Sequence, residues 1–311
     1  MKGPRENPGR TRKYFGSRLA GALTGGGIAA VALLLVVAPG GFAAVTVTPP
    51  YTGVTSNSLS TSVSGCAHAT SAHPFSFNLN TGRAAFTGST SSSACGGGFG
   101  GVGGSAAGSV SSSTSAALHL ALPSGRHTLT TNWNATWTAV GSVSGGGSCP
   151  TSTYTYSYPP TNYSLTYTDG YCAAESFVQA YVFTYLYDVT NNTYVFPSTS
   201  NLSNYDIVIV NAAAQKYTSI YYGCSTSTNG TSCFTYNSSA AGPTTFTSIG
   251  TAVDHLVLKG TFASTHTYAL LVYVEAYLYS YTSGWAHAKA SCSLNLGTLG
   301  AGVTLTSFTV H

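Results

Sequence analysis

Tyr268–Tyr281 reads YALLVYVEAYLYSY and alternates strictly. Leu270, Val272, Val274, Ala276 and Leu278 fall on one face. Tyr273, Glu275, Tyr277, Tyr279 and Tyr281 fall on the other. A period of two in a run rich in aromatic and β-branched residues predicts a long β-strand with one aliphatic face for a core. The pattern is written twice: YVFTYLY at Tyr181–Tyr187 matches YVEAYLY at Tyr273–Tyr279 in five of seven positions, 92 residues earlier. Both runs lead into turn residues, Asp188-Val189-Thr190-Asn191-Asn192 and Ser280-Tyr281-Thr282-Ser283-Gly284.

Outward from these two strands the rest of the chain reads the same way. Short alternating runs are expected at Val45–Pro50, Ser58–Ser64, Pro74–Asn80, Ala117–Leu122, Leu129–Val140, Tyr163–Tyr167 and Ser176–Tyr187. More follow at Tyr194–Phe196, Tyr217–Tyr222, Asp254–Phe262, Ala286–Leu296 and Val303–Val310. A further strand is expected at Tyr205–Val210, where Ile207-Val208-Ile209-Val210 does not alternate, as expected of a strand covered on both faces. Gly, Pro, Asn and Ser punctuate them, and no helix-period segment occurs past residue 44. The expected class is therefore all-β, an antiparallel β-sandwich of jelly-roll or immunoglobulin-like type. Gly96–Gly108 (GGGFGGVGGSAAG) reads as a flexible loop; without Gly-Lys-Ser/Thr and a following helix it is no phosphate cradle. A second echo pairs Leu118–Leu122 and His127-Thr128 with Leu256–Phe262 and His266-Thr267. The echoes are read as a degenerate duplication, with units at 45–150 and 151–311, against chance likeness among hydroxyl-rich hairpins.

Only 6% of the 311 residues are charged, where soluble domains carry about 25%. Six of the eleven basic residues lie in positions 1–18, and the rest of the chain holds five basic and six acidic residues, a net of −1. The folded part has no Lys/Arg cluster, which excludes a nucleic-acid surface. After the basic tail, Leu19–Ala38 is an uncharged run of 20 residues followed by small residues at Gly41-Phe42-Ala43-Ala44. Positions 19–44 are thus either a secretory signal cut before Ala44 or a retained membrane anchor. Both readings place the body outside the cell.

Seven cysteines follow that segment, and in an exported chain they are expected as disulfides. Cys224–Cys233 is the best pair, closing the short polar loop GCSTSTNGTSC; Cys66–Cys95 and Cys149–Cys172 are near in sequence, and Cys292 is left over. Six Asn-x-Ser/Thr sequons, at Asn134, Asn162, Asn191, Asn201, Asn229 and Asn237, are candidate glycan acceptors.

The functional surface the sequence points to is the Tyr face of the final long strand: Tyr273, Glu275, Tyr277 and Tyr279. Tyr rings with polar tips suit stacking on sugars or contact with another protein, and packing of the same rings is the structural alternative. No catalytic, cofactor-binding or metal-ligating residue is assigned. Cys66-x-His68-x4-His73 lacks the spacing of a recognised metal site, and no Gly-x-Ser-x-Gly elbow occurs. Gln179 and Glu275 lie on the aromatic faces of the two echoed strands. In this pairing and in low charge the chain resembles glutamic peptidases, secreted β-sandwich acid hydrolases that use a Gln and a Glu on a concave sheet. The resemblance covers none of that family's sequence motifs. The expected function is a non-catalytic structural or adhesive role at the cell surface, towards glycans or surface proteins. The alternatives are a carbohydrate-binding module and, more remotely, an acid hydrolase.

Overall fold

The computed structural model describes residues 44–95, 103–120, 124–146, 149–159, 163–195, 206–297 and 302–311. The basic tail, the apolar run at 19–38, and sequons Asn162 and Asn201 lie outside them. Among the described residues there are fifteen strands and no helix. In chain order these are β1 (Val45–Val47), β2 (Gly53–Ser64), β3 (Ala67–Asn78), β4 (Arg83–Ser93), β5 (Gly103–Leu120), β6 (Gly125–Ser144), β7 (Ser152–Tyr158) and β8 (Tyr163–Asp188). Then come β9 (Thr193–Tyr194), β10 (Asp206–Ser227), β11 (Gly230–Ala241), β12 (Thr245–Phe262), β13 (Tyr268–Gly284), β14 (Lys289–Leu296) and β15 (Val303–Val310).

They form two antiparallel sheets. One runs β1-β15-β4-β14-β6-β12 with β3 beside β4; the other runs β11-β10-β8-β13-β5-β2 with β7 and β9 beside β8. Strands from before and after residue 150 alternate in the seven-stranded sheet, whereas in the eight-stranded sheet β5 and β2 from before residue 150 extend the block β11-β10-β8-β13 from after it. The echoed strands are direct neighbours, with Tyr273 opposite Phe183 and Tyr277 opposite Gln179.

Several expected strands fuse into longer ones. Tyr163–Tyr167 and Ser176–Tyr187 are parts of the 26-residue β8, and Tyr217–Tyr222 belongs to the 22-residue β10. Asp169-Gly170 looks like a turn, but Gly170 pairs directly with Ile220. A Cβ on Gly170 would collide with the Pro150 backbone, so the glycine serves close chain approach and not chain reversal. The expected glycine loop is likewise shortened: Gly103–Gly108 already pairs with β13 as the start of β5.

The sheets bury their aliphatic faces against each other, the arrangement of a β-sandwich. Leu270, Val272, Val274, Ala276 and Leu278 of β13 are buried, and Val178, Val182 and Leu186 of β8 extend that layer. Facing them are Phe75, Phe86, Leu129, Trp133, Leu294, Leu296 and Leu305 from the seven-stranded sheet. A fully buried Leu or Phe stabilises the fold by about 1.5–3 kcal/mol. A smaller cluster of Val143, Ala174, Ala214, Trp285 and the Cys149–Cys172 disulfide closes one end. There Lys216 reaches over the Trp285 ring at 5.6 Å and donates to the Gly145 carbonyl.

Aromatic rings lie over directly opposed glycines at three cross-strand positions: Phe246 on Gly141, Trp137 on Gly250 and Phe234 on Gly223. A side chain on any of these glycines would overlap the ring. The ring covers the backbone that the glycine leaves bare, and the pairing helps fix register.

Three disulfides join Cys66 to Cys95, Cys149 to Cys172 and Cys224 to Cys233, and Cys292 is buried and free. They suit an oxidising, extracellular environment. Cys224 and Cys233 face each other across β10 and β11 and so lock a hairpin, not a loop.

Candidate functional site

The outer face of the eight-stranded sheet is built by alternation along β8 and β13. On β8, odd-numbered Phe177, Gln179, Tyr181, Phe183 and Tyr185 point outward, half-buried, while the even-numbered residues between them are buried. On β13, Tyr273, Glu275, Tyr277, Tyr279 and Tyr281 do the same. The four residues singled out in the sequence therefore share one face, and no described layer covers them. The rings touch in rows: Tyr277 and Tyr279 lie 6.5 Å apart and Tyr279 and Tyr281 6.4 Å apart with nearly parallel planes, and Phe183 meets Tyr273 at 6.1 Å. Packing and presentation are both present. Each ring buries its flanks on its neighbours and shows its remaining surface to solvent.

Beside this stripe β5 and β2 lay down serine. Ser115, Ser113, Ser111 and Ser109 stand opposite Tyr273, Glu275, Tyr277 and Tyr279, and Ser56, Ser58, Ser60 and Ser62 continue the rows on β2. Ser58 and Ser113 hydroxyls are 3.1 Å apart. Burial pushes the Tyr273 phenol up to about 12, against the hydrogen bond it makes with Ser113. Burial also pushes the Glu275 carboxyl up to about 7, and Glu175 on the same face is raised for the same reason. Glu275 faces Tyr181, and Gln179 is one pair further along, diagonal to it. Gln179 donates from Nε2 to Asn211 Oδ1 at 3.3 Å. The Gln–Glu pair read from sequence is thus a pair in space, on an open sheet face.

Sequence reasoning missed the most exposed part of this face. Before Cys172 no residue of β8 is buried, β7 is exposed throughout, and β11 has no buried residue. Here the sheet is one layer thick. One side carries Tyr154, Tyr156, Tyr158, Tyr163, Tyr167, Tyr221, Phe234 and Tyr236, set there by the register of β7, β8, β10 and β11. Tyr236 is 61% exposed and Tyr158 51%. Tyr167 stacks at 5.1 Å from Tyr154 and 5.8 Å from Tyr156, and its phenol is pushed up to about 12, chiefly by the hydrogen bond with Tyr156. The opposite side is a threonine ladder, with Thr153 bonded to Thr168 at 2.8 Å and Thr155 to Thr166 at 3.1 Å. The signal was legible in STYTYSY, a period of two with no aliphatic face, which hydrophobic patterning alone does not mark as a strand.

The other candidate residues are dispersed. Asn134 sits on the outer face of the seven-stranded sheet opposite Val253, Asn229 lies in the β10–β11 turn, and Asn237 is exposed on β11. Asn191 is engaged in a turn: its backbone N–H donates to Asp188 Oδ1 at 3.0 Å, and its Nδ2 donates to Asp188 Oδ2 at 3.1 Å. His266 lies 2.8 Å from the same carboxylate. Burial pushes Asp188 up, but the Asn191 amide and His266 outweigh it and hold the carboxyl below its ordinary value. His127, by contrast, is buried against Phe262 with Nδ1 3.1 Å from the His311 carbonyl. Cys66 is consumed by its disulfide and offers no thiolate beside His68 and His73. On the seven-stranded sheet a groove of about 470 Å³ is lined by His68, Thr70, Val140, Phe246 and Ser291 among others.

No family model matches this chain, and no curated protein is similar to it. Among solved structures, that of infectious bursal disease virus Gx strain aligns over 83% of this chain and 81% of its own at 8% identity, with a TM-score of 0.10. A likeness of that size carries no argument about fold or function.

Proposed function

We propose that the protein is an exported, non-catalytic surface protein with an adhesive role, and that its contact surface is the outer aromatic face of the eight-stranded sheet. The observation that carries this reading is the row of Tyr and Phe along β8, continued on β7, β11 and β13, with no described layer above it. Tyrosines bury large area at low entropy cost and offer a hydroxyl at the rim, which suits uncharged, hydroxyl-rich partners. Carbohydrate is the favoured partner class because the face carries almost no charge: Asp169, Glu175 and Glu275 are its acids along β8 and β13. Export is supported by the three disulfides and by the basic-then-apolar N-terminal sequence.

The test is retention on neutral cell-wall polysaccharide, with Tyr156→Ser and Tyr236→Ser as variants on the single-layer end. Retention is expected to drop about tenfold for the pair of substitutions, the equivalent of about 1.4 kcal/mol. Retention that is absent in the parent, or unchanged in the variants, removes the glycan reading. A hydrolytic reading is favoured by one observation, the diagonal placement of Gln179 and Glu275. Peptide hydrolysis at acidic pH that disappears in Glu275→Gln would replace the non-catalytic proposal.

A further inference from the structure

We infer that β2 is a pairing strand for a second copy of this chain, joined antiparallel about Leu59. Half of the backbone N–H and C=O groups of a strand point to each side. Those of β2 that face β5 are bonded from Gly53↔Leu118 to Ser64↔Ala107. No described strand pairs with the other side.

The sheet edges differ in how they are guarded. Charges, proline, bulges and short length are the devices that keep edges from pairing. β3 carries Pro74, His68 and His73 and is interrupted by two register shifts. β12 carries Asp254, His255 and Lys259. β7 has only 7 residues; β11 is, like β2, 12 residues long and free of charge and proline, but is tied to β10 by the Cys224–Cys233 disulfide. β2 has none of these devices and no disulfide: GVTSNSLSTSVS is 12 residues long, uncharged, without proline, and exposed at every position after Gly53. It also shows apolar groups to solvent, with Leu59 47% and Val63 57% exposed.

Its sequence complements itself. A two-fold axis normal to the sheet at Leu59 sets Leu59 against Leu59 of the second copy, Thr55 against Val63 and Asn57 against Thr61 on one face. On the other face Ser56 meets Ser62 and Ser58 meets Ser60. Centred instead on Ser58, the pairing would set Leu59 against Asn57 and Val63 against Gly53, so the Leu59–Leu59 contact is lost and Val63 faces no side chain. Because the axis is normal to the sheet, the two aromatic faces come to lie on the same side of one continuous sheet. The dimer is therefore bivalent towards a repeating partner, although the pairing itself does not depend on what the aromatic face binds.

The experiment is to measure the mass of the purified, disulfide-bonded protein in solution and to oxidise single-cysteine variants on β2. A dimer mass is expected. Leu59→Cys should form a covalent dimer, because residues directly opposed have Cβ atoms about 4.5–5.5 Å apart. Ser64→Cys, opposed by Val54 of the second copy, should not, and the parent protein with buried Cys292 is the background. Leu59→Lys and Thr61→Pro should each weaken the dimer at least tenfold while the far-ultraviolet spectrum stays that of the parent. A monomeric mass at about 100 μM overturns the inference. So does a dimer that survives both substitutions, or cross-linking at Ser64→Cys as fast as at Leu59→Cys.

Discussion

The two sheets have interchangeable inner faces and unlike outer ones. Leu294 on β14 and Leu278 on β13 are equally buried, each at the centre of its own aliphatic layer. Outside, the seven-stranded sheet is mostly small hydroxyls, Thr87, Ser89 and Ser91 on β4, Thr136, Thr138 and Ser142 on β6, Ser291 and Ser293 on β14, with the aliphatic Val140, Ile249 and Val253 exposed among them towards the β12 edge. The eight-stranded sheet carries rings at the corresponding positions of β8 and β13. Folding demands the leucines on both sides and makes no such demand on the outer residues, since the described strands of the seven-stranded sheet carry no Tyr at all. The rings are an addition to what the fold needs, which is why function is sought there.

The largest effects should therefore be symmetric. Leu278→Ala and Leu294→Ala are each expected to lower unfolding free energy by about 2–5 kcal/mol, measured by denaturant titration. If one is near neutral, the two inner faces are not equivalent and the comparison fails.

An intermediate effect belongs to the aromatic face alone. Glu275 titrates in the folded protein at about 7, against an ordinary 4.5. The folded state therefore holds a proton that the unfolded state has already released, and stability falls as pH rises between those values. The drop is up to about 3 kcal/mol before allowance for the partial exposure of the group. Glu275→Gln should flatten thermal stability over that interval; an unchanged profile would assign the dependence elsewhere. Asp188 acts oppositely, its stabilisation being lost as pH falls through its lowered value. The protein should thus be most stable in mild acid, above the Asp188 transition and below that of Glu275.

The smallest effects separate the outer faces. Tyr279→Ser is expected to cost about 1 kcal/mol through lost ring contacts, and Ser293→Ala less than about 0.5 kcal/mol. Equal values would mean that the rings contribute no more packing than the hydroxyls.

Much of this architecture is legible in the chain because alternation with one aliphatic face is a strong signal. β13 and β15 lie close to where their patterns put them, and the three disulfide pairs follow from sequence proximity. Patterns without an aliphatic face are weaker. β7 and β11, whose two sides are tyrosine and threonine or cysteine, give hydropathy nothing to read. The fusion at Asp169-Gly170 was hidden for a different reason. A glycine that yields to a neighbouring backbone is written with the same letter as one that turns, and only the position of Pro150 tells them apart. Which strand would be left at an edge is a property of topology, so the bareness of β2 could not be read from its twelve residues.

The 26-residue β8 has a mechanical consequence. It crosses the whole two-layer body, bonded to β10 on one side and β13 on the other, and then continues into the single-layer end, where β7 takes the place of β13. A partner held on that exposed end pulls along β8 and loads both of its long ladders in shear. Many hydrogen bonds must then give way together, whereas a terminal hairpin under the same load would be peeled open one pair at a time.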